Sequence, residues 1–483
     1  MESRFKGGAI IIALLLVLAI VSLSTKFYGI TDMGDYVGVA KYFAGDFQAK
    51  IRPSHSVSFG LFHSPLVGLT DNLFLFKLVN LLWLFLIIYS LYFISGRNKR
   101  TLLLFVLSPI VWYIAPFLGP IQLASLLFLW GFYFLKKFEK TEKKFFLLIS
   151  GMLVGLSAIF WNSALFLIVL MIAIFFYNKR VSELVLYILS LLIGFLPLLI
   201  TDWIFYNLPF YSFIKFLSAT SSFPLIGGIY SQNMAATIPI YISVLLFLPI
   251  YLFNLTKQKF FMSHKRAVVF LLLGYVLVLL NPQPRYLFFL WPLMILYLEK
   301  TLDEKQFRRQ SVIFGVISLI VITPYLIQIN RGITTTEFGE MIAFPGRIHI
   351  LNQTPAEALE ENLVAISKKY PNEAIVVGNG YDDYEPLALA YWRNEVKEFV
   401  SVQDYVYLRD NKTEIWSKEF MPSTKLNERR QIWIGGGVNK NSRDETDYGN
   451  IQIGIGVGEP LKLEGFEFVE KYGTLYVSER MKP

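Results

Sequence analysis

The chain contains no cysteine. Disulfides, thiolate metal sites and cysteine nucleophiles are therefore excluded, while the compartment stays open. Histidine is also scarce, at four residues in 483. Charge is nearly missing from a series of stretches that ends near residue 328. There is no Walker motif, no low-complexity tract and no repeat of about 20–50 residues. The segment Gly378–Asn379–Gly380 lacks the third glycine and the spacing of a dinucleotide fingerprint.

What fills the chain is apolar. Hydrophobic residues make up 54% of it, aromatic residues 16%, and the mean hydropathy is +0.49. They form runs at 8–24, 66–95, 101–115, 118–135, 145–160, 163–177, 182–201, 237–255, 267–280, 286–298 and 310–328. A bilayer core of about 30 Å needs about 20 apolar residues in a helix. The fold class expected is thus a polytopic α-helical membrane protein of about 11 spans. The first run follows Arg4 and Lys6 and lacks a clear small-x-small cleavage site, so it reads as a retained span rather than a signal peptide.

Basic residues orient these spans. With the N-terminus inside, the segments 1–7, 96–100, 136–144, 178–181, 256–266 and 299–309 hold 20 Lys and Arg. The opposite loops hold six: Lys26, Lys41, Lys50, Arg52, Lys215 and Arg285. Cytoplasmic loops carry such an excess, so the topology reads N-in and C-out in a multi-pass plasma-membrane protein. The net charge of +9 then belongs to a membrane face, and no nucleic-acid partner is expected.

Two regions follow: a membrane domain over 1–328 and a charged soluble domain over 329–483, extracytoplasmic in this topology. In the second, Glu373–Gly380 and Arg430–Gly437 read as strands ending in glycine turns. F-E-F-V-E-K-Y-G-T-L-Y-V-S-E-R reads as a hairpin, so a mixed α/β domain is expected. The outer loop that starts D-W-I-F-Y-N-L-P-F-Y puts Trp203, Phe205, Tyr206, Phe210 and Tyr211 at headgroup level.

The first outer loop, about 25–65, gathers most of the chemistry. Tyr36, Val39, Ala40, Phe43 and Phe47 share one helical face, with Asp32 and Asp35 at its N-terminal end. Those carboxylates have a bland explanation, as a cap and a dipole partner. They are also the best candidates for acid–base work. Arg52, His55 and His63 follow in the same loop. The His spacing is not that of a zinc site. The pattern points to no particular cofactor, and a divalent metal is an alternative that is not favoured. Further on, Arg285 lies at the outer end of a span, against the charge trend, and Pro282 and Pro284 flank it. It snorkels to headgroups, or it clamps a phosphate; the fork geometry of guanidinium favours the clamp.

These motifs, in this order, resemble the GT-C class of polytopic glycosyltransferases, in particular the protein mannosyltransferases and aminoarabinose transferases. Asp32, Tyr36 and Ala40 match a D-x-x-x-Y-x-x-x-A motif of the first outer loop, and His63–Ser64–Pro65–Leu66 resembles H-P-P-L. Gly151–Asn162, Tyr206–Phe210 and the P-R-Y-L of Arg285 and Tyr286, closing at Pro292, resemble later elements. The chain departs at Met33 and Ser64, where relatives carry an acidic residue and a first proline. It departs again at A-P-F-L-G-P-I-Q, where Gln122 stands near an expected acid.

The resemblance implies transfer of a hexosyl or pentosyl unit from a polyprenyl (or dolichyl) phosphate carrier to a hydroxyl of a protein, lipid or glycan. Asp32 is then the general base and Asp35 supports it. Arg285, with Tyr286, Arg52, His55, His63 and Tyr36, binds donor phosphate or substrate. The competing reading is a secondary transporter or lipid flippase, which would want ionisable groups near the midplane of the spans. A third is a sensor or assembly protein that works through its soluble part.

Overall fold

The computed structural model describes residues 2–25, 57–67, 74–177, 179–206, 258–280 and 284–331. It also describes shorter stretches at 36, 39–40, 43–44, 69, 209–213, 216, 254, 362, 365–366, 368–370, 375–377, 399–401, 453–457, 465–473 and 475–481. The helices are α1 (Glu2–Ser24), α2 (Val57–Val67), α3 (Phe74–Ile94), α4 (Lys99–Val106), α5 (Pro109–Ile114) and α6 (Ile121–Thr141). They continue with α7 (Lys144–Phe160), α8 (Ala164–Phe176), α9 (Val181–Tyr206), α10 (Gln258–Leu280), α11 (Pro284–Glu299) and α12 (Glu304–Arg331). Two compact units share the chain. Unit 1 comprises Met1–Leu23, Leu78–Pro197 and Thr237–Thr323; unit 2 comprises Ser24–Lys77, Leu198–Ala236 and Pro324–Pro483.

Among the described residues, four helices are long and apolar enough to cross a membrane: Phe74–Ile94, Ile121–Thr141, Val181–Ile204 and Phe260–Leu277. Gly8–Ser24, Lys144–Phe160, Ala164–Phe176 and Tyr286–Glu299 are apolar but shorter. Most of the run at 237–255 lies outside the described residues. Outward faces carry bare apolar side chains, such as Ile12 and Ile20 on α1, Val169 on α8 and Leu319 on α12. Such faces suit helices bordered by hydrocarbon rather than water.

Two apolar runs do not form the single helices their length predicts. The run at 66–95 begins its helix only at Phe74, because α2 ends at Val67. The run at 101–115 breaks in two. Pro109 sits at the first position of α5, and Ser108 before it takes an extended backbone (ψ 129°), as a residue preceding proline must. At about 1.5 Å per residue neither piece crosses a bilayer. The carbonyls freed at the break are nonetheless satisfied inside the protein. Ser108 Oγ donates to Leu104 O (2.6 Å), Trp112 Nε1 to Val106 O (2.8 Å) and Ser318 Oγ to Leu107 O (2.7 Å). Irregular backbone in a membrane protein needs such partners.

The helices of unit 1 pack through glycine. Ser150 Oγ of α7 donates to Gly131 O of α6 at 2.7 Å. Where α7 meets α9, a Cβ on Gly155 would lie 2.5 Å from Leu191 O, and one on Gly194 would lie 2.3 Å from Met152 O. Only bare backbones approach so closely, the small-residue packing of membrane helices.

Unit 2 contains a five-stranded sheet made of β1 (Ile375–Val377), β2 (Phe399–Ser401), β3 (Ile453–Val457), β4 (Phe466–Tyr472) and β5 (Leu475–Arg480). The order is β2-β1-β3-β5-β4. β1 runs parallel to β2 and β3, whereas β5 runs antiparallel to β3 and β4. The hairpin expected from sequence is β4–β5, which pairs Phe466 with Arg480 and Tyr472 with Leu475 across a bulge at Phe468/Glu470. Its turn uses Gly473 at φ 56°, a conformation glycine adopts without Cβ strain. Arg430–Gly437 lies outside the described residues.

Candidate functional site

In unit 2, the described residues between 36 and 44 rest on α2. Residues 36, 39, 40 and 43 are helical, and Ala44 N donates to Ala40 O at 3.0 Å. Val39 and Ala40 are fully buried. Gly60 of α2 permits this contact, since a Cβ there would meet Val39 Cγ1 at 2.3 Å. The helical face expected to lie on the membrane surface is thus covered by protein at Val39 and Ala40. Tyr36 presents its ring edge-on to Phe59 at 5.3 Å.

His63 sits one helical turn further along α2. Its ring lies 4.0 Å from that of Phe59, 5.3 Å from Phe62 and 5.6 Å from Phe76. Only 1% of the residue is exposed. This burial pushes its pKa down to about 4, against a smaller upward pull from the Phe59 carbonyl, so the ring is neutral near pH 7. Nδ1 lies 2.8 Å from Phe59 O. A carbonyl only accepts, so Nδ1 carries the proton. Nε2 is then a bare acceptor, buried and without a hydrogen-bond partner. Such an atom can take a proton from a hydroxyl, but it cannot donate to a phosphate oxygen.

Ser64 also gains a physical reason. Pro65 lies inside α2 and lacks the N–H that would bond Leu61 O. Ser64 Oγ donates to that carbonyl at 2.8 Å. The serine that replaces a proline of the resembling motif thus mends the helix its neighbour interrupts. Gln122, near the expected acid, is likewise occupied: its amide donates to Ile114 O (3.2 Å) and Phe117 O (3.3 Å), holding the turn between α5 and α6. Asn80 Nδ2 secures the same turn through Phe117 O at 2.7 Å.

In unit 1, Pro284 opens α11 and Arg285 follows in its first turn. The Arg285 side chain lies outside the described residues. Tyr286 is half-buried and stacks on Trp161 at 5.4 Å and 30°. Trp161 in turn lies 4.5 Å from Phe289. Asp32, Asp35, Arg52 and His55 lie outside the described residues, and the metal alternative rests on the same positions.

Two polar residues of unit 2 escaped sequence reasoning. Lys77 is 2% exposed in the first turn of α3, and its Nζ donates to Thr25 O at 2.5 Å. It ties Thr25, just after α1, to α3. Asp202 of α9 is fully buried and accepts from Ser212 N (3.0 Å) and Ser212 Oγ (2.6 Å). Tyr211, expected at headgroup level, is 2% exposed because this pairing folds the segment after α9 inward; Trp203 stays open. The visible cue was one charged residue inside an apolar run for Lys77 and one at its margin for Asp202.

The fold so described is that of a GT-C-like membrane protein. Its solved neighbours include ArnT from Cupriavidus metallidurans bound to undecaprenyl phosphate, with TM-score 0.53 and 13% identity over 98% of this chain and 97% of that one. The apo state of the same ArnT matches with TM-score 0.52 and 12% identity, over 99% and 98% of the two chains. No family profile and no curated protein matches the sequence.

Proposed function

We propose that this chain is a membrane glycosyltransferase that moves a sugar from a polyprenyl-phosphate carrier to an acceptor hydroxyl at the outer membrane face. The observation that carries this reading is the GT-C-like fold, shared end to end with a protein solved with undecaprenyl phosphate bound. The ordered motifs at Asp32, His63 and Arg285 add to it. The bias of 20 basic residues to six supports the orientation. So does the composition of unit 2, which holds most of both predicted outer loops and the C-terminal region.

In this reading Asp32 takes the proton from the acceptor hydroxyl as its oxygen attacks the anomeric carbon. The bond from that carbon to the phosphate oxygen breaks, and the carrier phosphate leaves with the electron pair. A single displacement inverts the sugar. Such a base contributes typically 10²–10⁴-fold. Arg285 stabilises the charge growing on the phosphate, beside the N-terminal end of α11, where the helix dipole favours an anion. Tyr286 and Trp161 offer a flat aromatic surface next to it. Arg52 and His55 contact donor or acceptor. His63, neutral and with a bare Nε2, accepts from a substrate hydroxyl, and Tyr36 frames its pocket. Asp35 supports Asp32. A phosphate leaving group needs no second carboxylic acid to protonate it.

A transporter would want ionisable groups at mid-span. Lys77, the buried lysine or arginine among the described residues, sits in the first turn of α3 instead. The test is purified protein in liposomes with polyprenyl-phosphate-linked sugars and surface-glycan acceptors, read by mass spectrometry. Transfer by the wild type and a loss of about 10²–10⁴-fold in Asp32→Asn, with folding intact, are expected. Undiminished transfer in that variant overturns the base assignment. No transfer from any carrier-linked sugar overturns the function.

A further inference from the structure

Three helix ends of unit 1 converge on the side that the charge bias makes cytoplasmic. The end of α6 brings Lys136, Glu139 and Lys140; the start of α10 brings His264 and Arg266; the end of α11 brings Tyr297, with Lys300 just beyond. The parts touch. His264 stacks on Phe260 at 4.6 Å and meets Tyr297 edge-on at 5.6 Å. Lys300 Nζ lies 5.3 Å from the Tyr297 ring centre. Lys136, Lys140 and Lys300 are all within electrostatic reach of the His264 ring. The α10 backbone is broken at His264 (φ −131°, ψ 23°), which turns this ring into the cluster.

Charge is out of balance there. Glu139 is engaged by Lys136 and by Arg266 Nη1 at 2.8 Å. Glu299 is engaged by Arg100 Nε at 3.5 Å. Glu139 and Glu299 are thus already in ion pairs, although Glu299 still acts on Lys300 as well. Lys140 and Lys300 form none among the described residues. One lysine at a helix C-terminus is explained by the helix dipole. Several ammonium groups gathered from two helix ends around a histidine are not, because they repel one another. Consistent with this, the surrounding apolar helix ends and the Lys140 charge hold the Lys300 ammonium below its usual pKa.

We propose that Lys140 and Lys300, with Lys136 and His264, bind the phosphodiester headgroup of an anionic phospholipid. An anion seated between the lysines removes their repulsion and supplies the missing negative charge. The site lies where apolar helices end, and Met262, two residues before His264, is 71% exposed. That side chain suits an acyl chain and not a soluble anion. Basic pockets between membrane helices on the cytoplasmic side recognise lipid headgroups in this way.

The test uses the full chain in nanodiscs of phosphatidylcholine alone or with one-fifth phosphatidylglycerol. Thermal unfolding and native mass spectrometry of retained lipid are the readouts. Wild type is expected to gain stability and keep bound phosphatidylglycerol. Each lysine near such a surface is worth about fivefold in affinity, so Lys140→Gln/Lys300→Gln is expected to retain about 25-fold less. Both lysines are exposed and outside ion pairs, so the variant should match wild type in phosphatidylcholine. Lys144→Gln/Lys305→Gln, which removes exposed charge elsewhere, is expected to keep the gain. An equal loss in both variants, or no loss in the first, overturns the site. Equal stabilisation by about 10 mM inorganic phosphate alone overturns the lipid as its source.

Discussion

The α7–α9 crossing of unit 1 and the surroundings of His63 in unit 2 bury polar groups in opposite ways. At the crossing, Gly155 and Gly194 bring backbone against backbone. Hydroxyls nearby return to their own helices, as Ser190 Oγ does to Leu186 O at 2.7 Å and Ser157 Oγ to Val154 O at 2.7 Å. The titratable group there is Tyr187 of α9, fully buried beside Ser150 of α7. Around His63 the packing is aromatic and one ring nitrogen is left unsatisfied. Lys77 and Asp202, also in unit 2, are buried charged residue types held by a carbonyl and a serine. The first arrangement optimises contact. The second buries a histidine, a lysine and an aspartate, and leaving a polar atom without a partner costs stability.

The largest break in this contrast should come from the crossing. Gly194→Leu sets a side chain against Met152 O, where a backbone atom cannot yield. Overpacking of that kind costs about 3 kcal/mol, read as a fall in Tm and in folded yield from detergent. Gly315→Ala, whose new Cβ would lie 3.8 Å from Leu107 Cδ2, should change little in the same assay.

The His63 side of the contrast is sharpened by pH. Its folded pKa of about 4 lies below the unfolded 6.5. The unfolded chain therefore binds the extra proton first, and stability falls as pH drops through 6.5 towards 4. Between pH 7 and pH 5 this amounts to about 2 kcal/mol. His63→Phe should flatten that part of the Tm–pH curve; an unchanged slope would place the titration elsewhere. An effect of similar size to that at His63 is expected of Ser212→Ala. It removes one of two hydrogen bonds to Asp202 and should cost about 1.5–3 kcal/mol if the carboxylate stays charged, less if it takes up a proton. Denaturant midpoints at pH 5 and pH 8 distinguish the two.

Hydropathy made α1, α6, α7, α8 and α9 legible almost to their ends, because a run of apolar residues constrains its own segment. Proline marked the break before α5, yet the run around it looked continuous, since composition averages over a single Pro109. The β4–β5 hairpin was legible through Gly473. What stayed hidden depends on a partner far along the chain. Nothing near Lys77 points to Thr25, and nothing near Gly155 points to Leu191. Ser64 looked like a lapse in a motif until Leu61 O showed what its hydroxyl does. The bare Nε2 of His63 was invisible for a related reason: a tautomer is set by the acceptor facing the ring, and sequence names only the ring.

Arg100, at the foot of α4, carries a consequence for biosynthesis. Its Nη2 donates to Leu302 O (3.1 Å) and its guanidinium rests on Phe307 at 4.4 Å. The break at the other end of α4 is closed by Ser318. Both partners are translated about 200 residues later. A ribosome that has made α4 and α5 has therefore made a segment that cannot span the bilayer and whose Leu107 carbonyl still lacks its Ser318 partner. It must wait in a provisional place, in the translocon or at the interface, until α12 emerges. A nascent chain arrested before Leu302 should leave positions 99–114 open to aqueous labelling, and one arrested well past Arg331 should close them.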